Sequence, residues 1–251
     1  VEAFLTEFLS DPAVVDYPAW FWRPVLRTMV LRRRPARVAH MYGSIWTPDG
    51  SPLRAATERI ARALREHGAG RWQVSTAYRY GSPGIDAVLQ RLAREEHGPV
   101  IVVPLFPQRT GATTGTALER ARVVAGRHHM VHRLEERHVE PDAAGYVEAM
   151  VARWREALAG AAREPEHLVV SFHGIPTRYA RRERWRYVRD CEATTRAFLE
   201  ASGWPAVRAT LAYQSKFGPE PWLTPSTSDV LEALPGRGVR HVAVLTPGFI
   251  T

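Results

Sequence analysis

Short apolar runs that alternate with longer amphipathic stretches constrain the fold of this chain more than any other feature. The candidate strands are Trp72 to Ala77, Val100 to Leu105, Leu168 to Phe172, Val207 to Ala212 and His241 to Thr246. Between them, Leu53 to Glu66, Ile85 to Glu96, Ala117 to Gly126, Tyr146 to Ala162, Trp185 to Ala201 and Ser226 to Leu234 carry apolar residues three and four apart, the spacing of helices with one buried face. Strand, helix, strand in succession predicts an α/β protein with parallel sheets flanked by helices, because parallel strands need a crossover long enough to hold a helix. Glu140-Pro141-Asp142 is the expected divide between two similar α/β halves, residues 1–140 and 141–251.

A chain of 251 residues with 45% hydrophobic content has enough apolar surface for a sizeable core. No run approaches the roughly 18 to 20 apolar residues of a membrane span, and Val1-Glu2-Ala3-Phe4 does not open a signal peptide. The lone Cys191 excludes an internal disulfide and a cysteine-based zinc site within these residues and fits a reducing cytoplasm. Of 34 basic residues all but Lys216 are Arg, giving a net charge of +8. The densest clusters, Arg32 to Arg34 and Arg181 to Arg189, are flanked by Pro35 or interleaved with Glu183, and no zinc-finger, KH or RRM signature accompanies them. Anionic small-molecule carboxylates or a lipid surface suit this charge as well as nucleic acid does, and nucleic acid is not the expected partner.

Several loops behind strands carry unusual chemistry. Ser171-Phe172-His173-Gly174-Ile175-Pro176 ends an apolar run with a histidine, and Gly174 and Pro176 forbid the strand to continue. In an open α/β sheet ligands bind beyond the carboxyl ends of the strands, so His173 is a candidate for chemistry; a core histidine bonded to backbone is the equal alternative. Pro107 to Gly115 opens a helix whose free N–H groups suit an anion or a hydroxyl-rich cap, but it lacks the Gly-Lys-Ser/Thr ending of a P-loop. Tyr78-Arg79-Tyr80-Gly81 sets an Arg between two aromatics, ready to pair with a carboxylate or to stack. Tyr213 to Leu223 presents Gln214, Ser215 and Lys216, then Gly-Pro-x-Pro and Trp222, as platform or as packing. His128, His129, His132 and His138 read as a solvated segment, with an outer metal site as the alternative.

These segments in one order, SFHGIPTRY at 171–179, YRYGSP at 78–83, PLFPQ at 104–108, YQSKFGPEPWLTP at 213–225 and TPGF at 246–249, resemble ferrochelatase over essentially the whole chain. Trp20 to Pro24 and Tyr42 to Trp46 are most similar to bacterial forms acting on protoporphyrin. The resemblance implies two Rossmann-like, chelatase-type domains with a porphyrin cleft between them, and insertion of ferrous iron into protoporphyrin to make haem. It implies His173 as proton acceptor or iron ligand, Trp222 and Phe249 as walls of the macrocycle, and Arg79, Tyr80, Tyr42, Gln214, Ser215 and Lys216 as substrate-facing. No cofactor is implied beyond the iron substrate, and an iron–sulfur cluster is left open because members that carry one place most of its cysteines further along. Arg32 to Arg34 would receive propionates or form a solvated face.

The pattern departs at Arg109-Thr110-Gly111, where the family continues with an aromatic and Ser, which counts against a substrate role for Arg109. By resemblance a first strand with an Asn-Leu-Gly-type turn precedes the Val1 position, and a glutamate opposite the histidine follows Thr251. The expectation is accordingly a chain shortened at both ends and poorly active. Trp20, Phe21, Trp22, Val25, Leu26, Met29 and Val30 form a helix-compatible apolar stripe, either a membrane-touching lip or a packed helix, and the location is cytoplasmic with peripheral membrane contact left open. Two other functions remain in view: a chelatase inserting cobalt or nickel into another tetrapyrrole, and a non-catalytic porphyrin or nucleic-acid binding module.

Overall fold

The computed structural model describes residues 2–48, 50–95, 98–248 and 250, with the side chains of 33–37 and 41 excepted. Helices and parallel strands group into two units, Val1–Val102 with Gly111–Glu136, and Val103–Thr110 with Arg137–Ile250.

The first unit opens with helix α1 (Glu2–Leu9), α2 (Ala19–Val25), a π-turn over Leu26–Val30 and α3 (Leu31–Ile45). The apolar stripe of this region divides. Leu26 is buried with Leu5 and Leu9, and Trp22 and Val30 pack on them, the Trp22 indole donating to the Leu9 carbonyl at 2.6 Å. Trp20, at 80% exposure, Phe21 and Met29 face solvent. Next come α4 (Pro52–Gly68) and α5 (Ile85–Arg94), then strand β1 (Val100–Val102), a second π-turn over Gly111–Gly115, α6 (Thr116–Arg127) and strand β2 (Leu134–Glu136). β1 pairs in parallel with β2, Val100 opposite Leu134, under a core of Leu89, Ala121, Val124, Ala125 and Met130. β2, too short and too acidic to show in the apolar pattern, was not expected.

The expected strand over Trp72 to Ala77 is absent. The segment is extended but has no ladder, and side chains take up the Val74 carbonyl and the Ser75 and Thr76 hydroxyls. Arg65 donates twice to the Val74 carbonyl, at 3.0 and 2.8 Å, Thr76 donates to Glu58 at 2.6 Å, and Arg91 donates to Ser75 at 2.7 Å. A guanidinium fork can satisfy a backbone acceptor as well as a neighbouring strand does, and apolar patterning does not distinguish the two.

The second unit contains α7 (Ala144–Ala159), β3 (His167–His173), α8 (Thr177–Arg182), α9 (Arg186–Ser202), β4 (Ala209–Gln214), α10 (Thr227–Ala233) and β5 (Val242–Leu245). Its sheet is parallel in the order β4-β3-β5, with Leu168 opposite Ala209 and Ala243. β3 is central and covered on both faces, which explains its unbroken apolar run. Leu168, Val170 and Phe172 pack with Trp154 of α7 and Tyr187, Cys191 and Phe198 of α9, whereas Val169 packs with Ala212 and Leu234.

The segment Val103–Thr110 joins this unit through Gln108. Its amide donates to the Thr194 hydroxyl at 2.7 Å, which in turn donates to the Pro141 carbonyl at 2.7 Å. The Arg109 N–H donates to Asp190 at 3.1 Å, and its guanidinium lies 2.9 Å from Glu140. Arg109 is thus held by two carboxylates, which accounts for its departure from the expected pattern without a substrate.

Candidate active site

Because β3, β4 and β5 are parallel, their carboxyl ends lie along one edge of the sheet, and the residues beyond them share that edge. His173 is the last residue of β3 and sits opposite Gln214, the last of β4. Its carbonyl accepts a hydrogen bond from the buried Tyr187 hydroxyl at 2.6 Å, which anchors the strand end from below. The imidazole itself is open to solvent, yet the surrounding protein desolvates it enough to lower its pKa below the ordinary 6.5. Near neutral pH the ring is uncharged and has a free lone pair.

Gly174 is required by a close approach. A Cβ there would lie 2.8 Å from the Gln214 carbonyl and 3.2 Å from the Trp222 ring. Its N–H donates to that carbonyl at 2.7 Å. Beyond it the strand end is zipped antiparallel to the loop after β4, the Leu223 N–H donating to the Ile175 carbonyl at 3.1 Å and the Thr177 N–H to the Pro221 carbonyl at 2.9 Å. The far end of the loop is tied where the Tyr213 N–H donates to the Pro225 carbonyl at 2.9 Å, and Arg178 bonds Glu220 at 2.7 Å. The loop is therefore pinned at several points, and Trp222 is fixed against Gly174, one residue from His173.

Gln214, Ser215 and Lys216 are exposed at the start of this loop, Ser215 with a left-handed φ of 69°. A cavity of about 160 Å³ opens beside them, lined by Gly174, Gln214, Lys216, Trp222, Ser226 and Asp229 among others. It is smaller than the roughly 300 to 1,000 Å³ of a pocket enclosing a drug-sized ligand. A tetrapyrrole does not fit inside it.

In the first unit, Arg79 and Tyr80 end the extended segment rather than a strand and converge on Asp11. The Asp11 carboxylate accepts from the Arg79 guanidinium, from the Tyr80 hydroxyl at 2.9 Å and from the Thr116 hydroxyl at 2.8 Å, and its second oxygen takes the Ala13 N–H at 2.8 Å. The Arg79 guanidinium also stacks over the Tyr80 ring, 4.5 Å from its centre. Both uses weighed for an Arg between aromatics, pairing and stacking, thus occur together. Burial alone would raise the Asp11 pKa, but the Ala13, Thr116 and Tyr80 hydrogen bonds and the Arg79 charge outweigh it and hold the carboxyl below its ordinary value.

Asp11 was missed in the sequence. Phe4, Glu7 and Phe8 are spaced i, i+3, i+4 on α1 and form one stripe that covers the Arg79 loop, while Asp11 lies two residues beyond the end of that helix. The Phe8 ring meets Tyr80 edge-on at 5.1 Å and Glu7 accepts the Gly81 N–H at 3.1 Å. Tyr42 lies exposed on α3, outside that cluster. Arg32 is exposed, and Phe249 lies outside the described residues. Among the described residues no group of three or more His, Cys, Asp or Glu is placed to hold a metal, so the four histidines of 128–138 do not form a centre.

The sequence model of the family described as Ferrochelatase matches residues 1–251. The chain belongs to the ferrochelatase family. It is 38% identical over 249 residues to a ferrochelatase of Edwardsiella ictaluri, covering 99% of this chain and 77% of that relative. It is 37% identical over 254 residues to one of Pectobacterium atrosepticum, at the same coverage, and 36% over 252 residues to one of Yersinia enterocolitica, covering 76% of it. Ferrochelatases are lyases whose reaction is metal insertion into a porphyrin, in haem biosynthesis. The α/β architecture with parallel sheets flanked by helices agrees with that membership.

Proposed function

We propose that the chain inserts ferrous iron into protoporphyrin to form protohaem, with His173 as the reacting imidazole. The carrying observation is a solvent-facing histidine at the carboxyl end of the central strand, its pKa lowered by the surrounding protein, next to the Gly174 against which Trp222 is fixed. Insertion must remove two pyrrole N–H protons and strip water from the iron, and a flat macrocycle keeps its nitrogen lone pairs out of the metal's reach. A neutral imidazole serves either as acceptor of a pyrrole proton or as ligand to the incoming iron, since both uses need the same lone pair. Trp222 supplies a wall for the macrocycle, with Phe249 by family resemblance. Arg79, Tyr80, Tyr42, Gln214, Ser215 and Lys216 would face the substrate.

The cavity of about 160 Å³ is too small for the macrocycle, so the porphyrin would lie outside it. A panel of ferrous, cobalt, nickel and zinc ions against protoporphyrin and coproporphyrin, run on the full-length protein and followed by porphyrin absorbance, tests the proposal. Ferrous insertion into protoporphyrin is the expected preferred reaction; preference for cobalt or nickel, or porphyrin binding without turnover, refutes it.

The exposed Trp20, Phe21 and Met29 support a second reading, contact with a lipid surface from which an apolar porphyrin is taken. Among the described residues no helix is long and apolar enough to cross a membrane, so such contact would be peripheral. Flotation with liposomes should recover the protein and should fail for Trp20→Ser combined with Phe21→Ser. Absence of the parent protein from the lipid fraction would dismiss the contact.

A further inference from the structure

We propose that Asp11 is the positioning residue for Arg79 and Tyr80, one carboxylate that fixes both side chains in the orientation they present to the porphyrin; this rests on the reading of those two residues as substrate-facing. Three side chains meet on one Asp11 oxygen, those of Arg79, Tyr80 and Thr116. Thr116 closes a second link, its hydroxyl accepting from the Arg79 Nε at 2.9 Å. Glu7 adds a longer contact, 3.8 Å from the other Arg79 nitrogen. The Asp11 side chain is 9% exposed and that of Arg79 22%, so neither partner is simply solvated. With Phe8 against the Tyr80 ring and the guanidinium over it, the phenol and guanidinium are held in one arrangement.

This arrangement has a chemical consequence. The positive charge of Arg79 is already matched by Asp11, so the pair does not act as a free cation for a propionate. It offers the macrocycle a shaped polar surface without net positive charge, and Asp11 supplies both the balance and the shape. Burial raises the Tyr80 pKa above its ordinary 10.0, and the Asp11 hydrogen bond and charge raise it further, against a smaller opposing effect of Arg79. The phenol therefore remains protonated and continues to donate to Asp11.

The test is Asp11→Asn in the full-length protein, which keeps the side-chain shape and an oxygen for the Ala13 N–H but removes the charge. Misplacing a binding group by about 1 Å can cost on the order of 100-fold, and a loss of roughly that size in kcat/KM for porphyrin is expected, with the KM for ferrous iron unchanged. Ultraviolet titration of tyrosine, with Tyr80→Phe identifying the signal, should show Tyr80 ionising at lower pH in Asp11→Asn. Insertion at the parent rate, or an unmoved Tyr80 titration, overturns the proposal. Should Asp11→Asn fail to fold, Thr116→Val removes a second link to the same carboxylate and is expected to move both readouts the same way by less; no movement again overturns it. If the parent protein inserts no metal into any tetrapyrrole, the functional reading fails, and the Tyr80 titration with porphyrin affinity still decides whether Asp11 holds the pair.

Discussion

His173→Ala in the full-length protein is expected to lower iron insertion by at least about 100-fold, the lower end of what a positioned acid or base contributes, while porphyrin affinity stays close to that of the parent. The loss should not come from unfolding. The imidazole is solvent-exposed, and the backbone carbonyl that accepts from Tyr187 survives the substitution. Melting temperature should therefore hardly change. Porphyrin binding is retained because Trp222 is held by Gly174 and by the Ile175 and Pro221 backbone, not by the His173 side chain. Stopped-flow absorbance for insertion and fluorescence quenching for binding separate the two quantities. Turnover within a few-fold of the parent would remove His173 from the chemistry.

Gly174→Ala should act on the fold and the site together. The new methyl would sit 2.8 Å from the Gln214 carbonyl, a distance that real Cβ contacts do not sustain, and the obstruction is backbone rather than a side chain that can rotate away. Both strand ends are hydrogen-bonded at this point, so relief requires opening the Gly174–Gln214 bond or moving the Trp222 loop. Overpacking of this kind costs about 1 to 3 kcal/mol, which corresponds to a fall in Tm of roughly 2 to 12 °C for a chain of this size. Because the loop bearing Trp222 moves with it, porphyrin affinity should fall as well, in contrast to His173→Ala. An unchanged melting temperature with parent-like porphyrin binding would show that β3 and the loop do not approach so closely.

Much of this architecture was legible in the chain. Central strand β3 appeared as an apolar run because both its faces are covered, and the expected helices Leu53 to Glu66, Ala117 to Gly126 and Trp185 to Ala201 lie within a few residues of α4, α6 and α9. His173 was legible because a strand, a glycine and a proline place it locally. The misreading of Trp72 to Ala77 has a physical cause. A β-strand needs a partner, and apolar character cannot report whether the acceptor of Val74 is met by another strand or by Arg65. β2 shows the converse, since three residues ending in two glutamates are a strand only because β1 lies beside them.

The candidate site divides along the same line. Residue type and short spacing are enough to mark a strand-final histidine, a rigid Gly-Pro-x-Pro-Trp loop and an Arg between tyrosines, since each depends on interactions within a few residues. That Gly174 must lack a side chain, that Tyr187 holds the His173 carbonyl, and that Asp11 joins Arg79, Tyr80 and Thr116 depend on groups from 14 to 105 residues apart. Long-range partners are chosen by packing of whole elements, and no local pattern encodes them. Spacing could reveal the Phe4, Glu7 and Phe8 stripe of α1, but only the folded chain shows that it covers the Arg79 loop and that Asp11, beyond the helix, joins it.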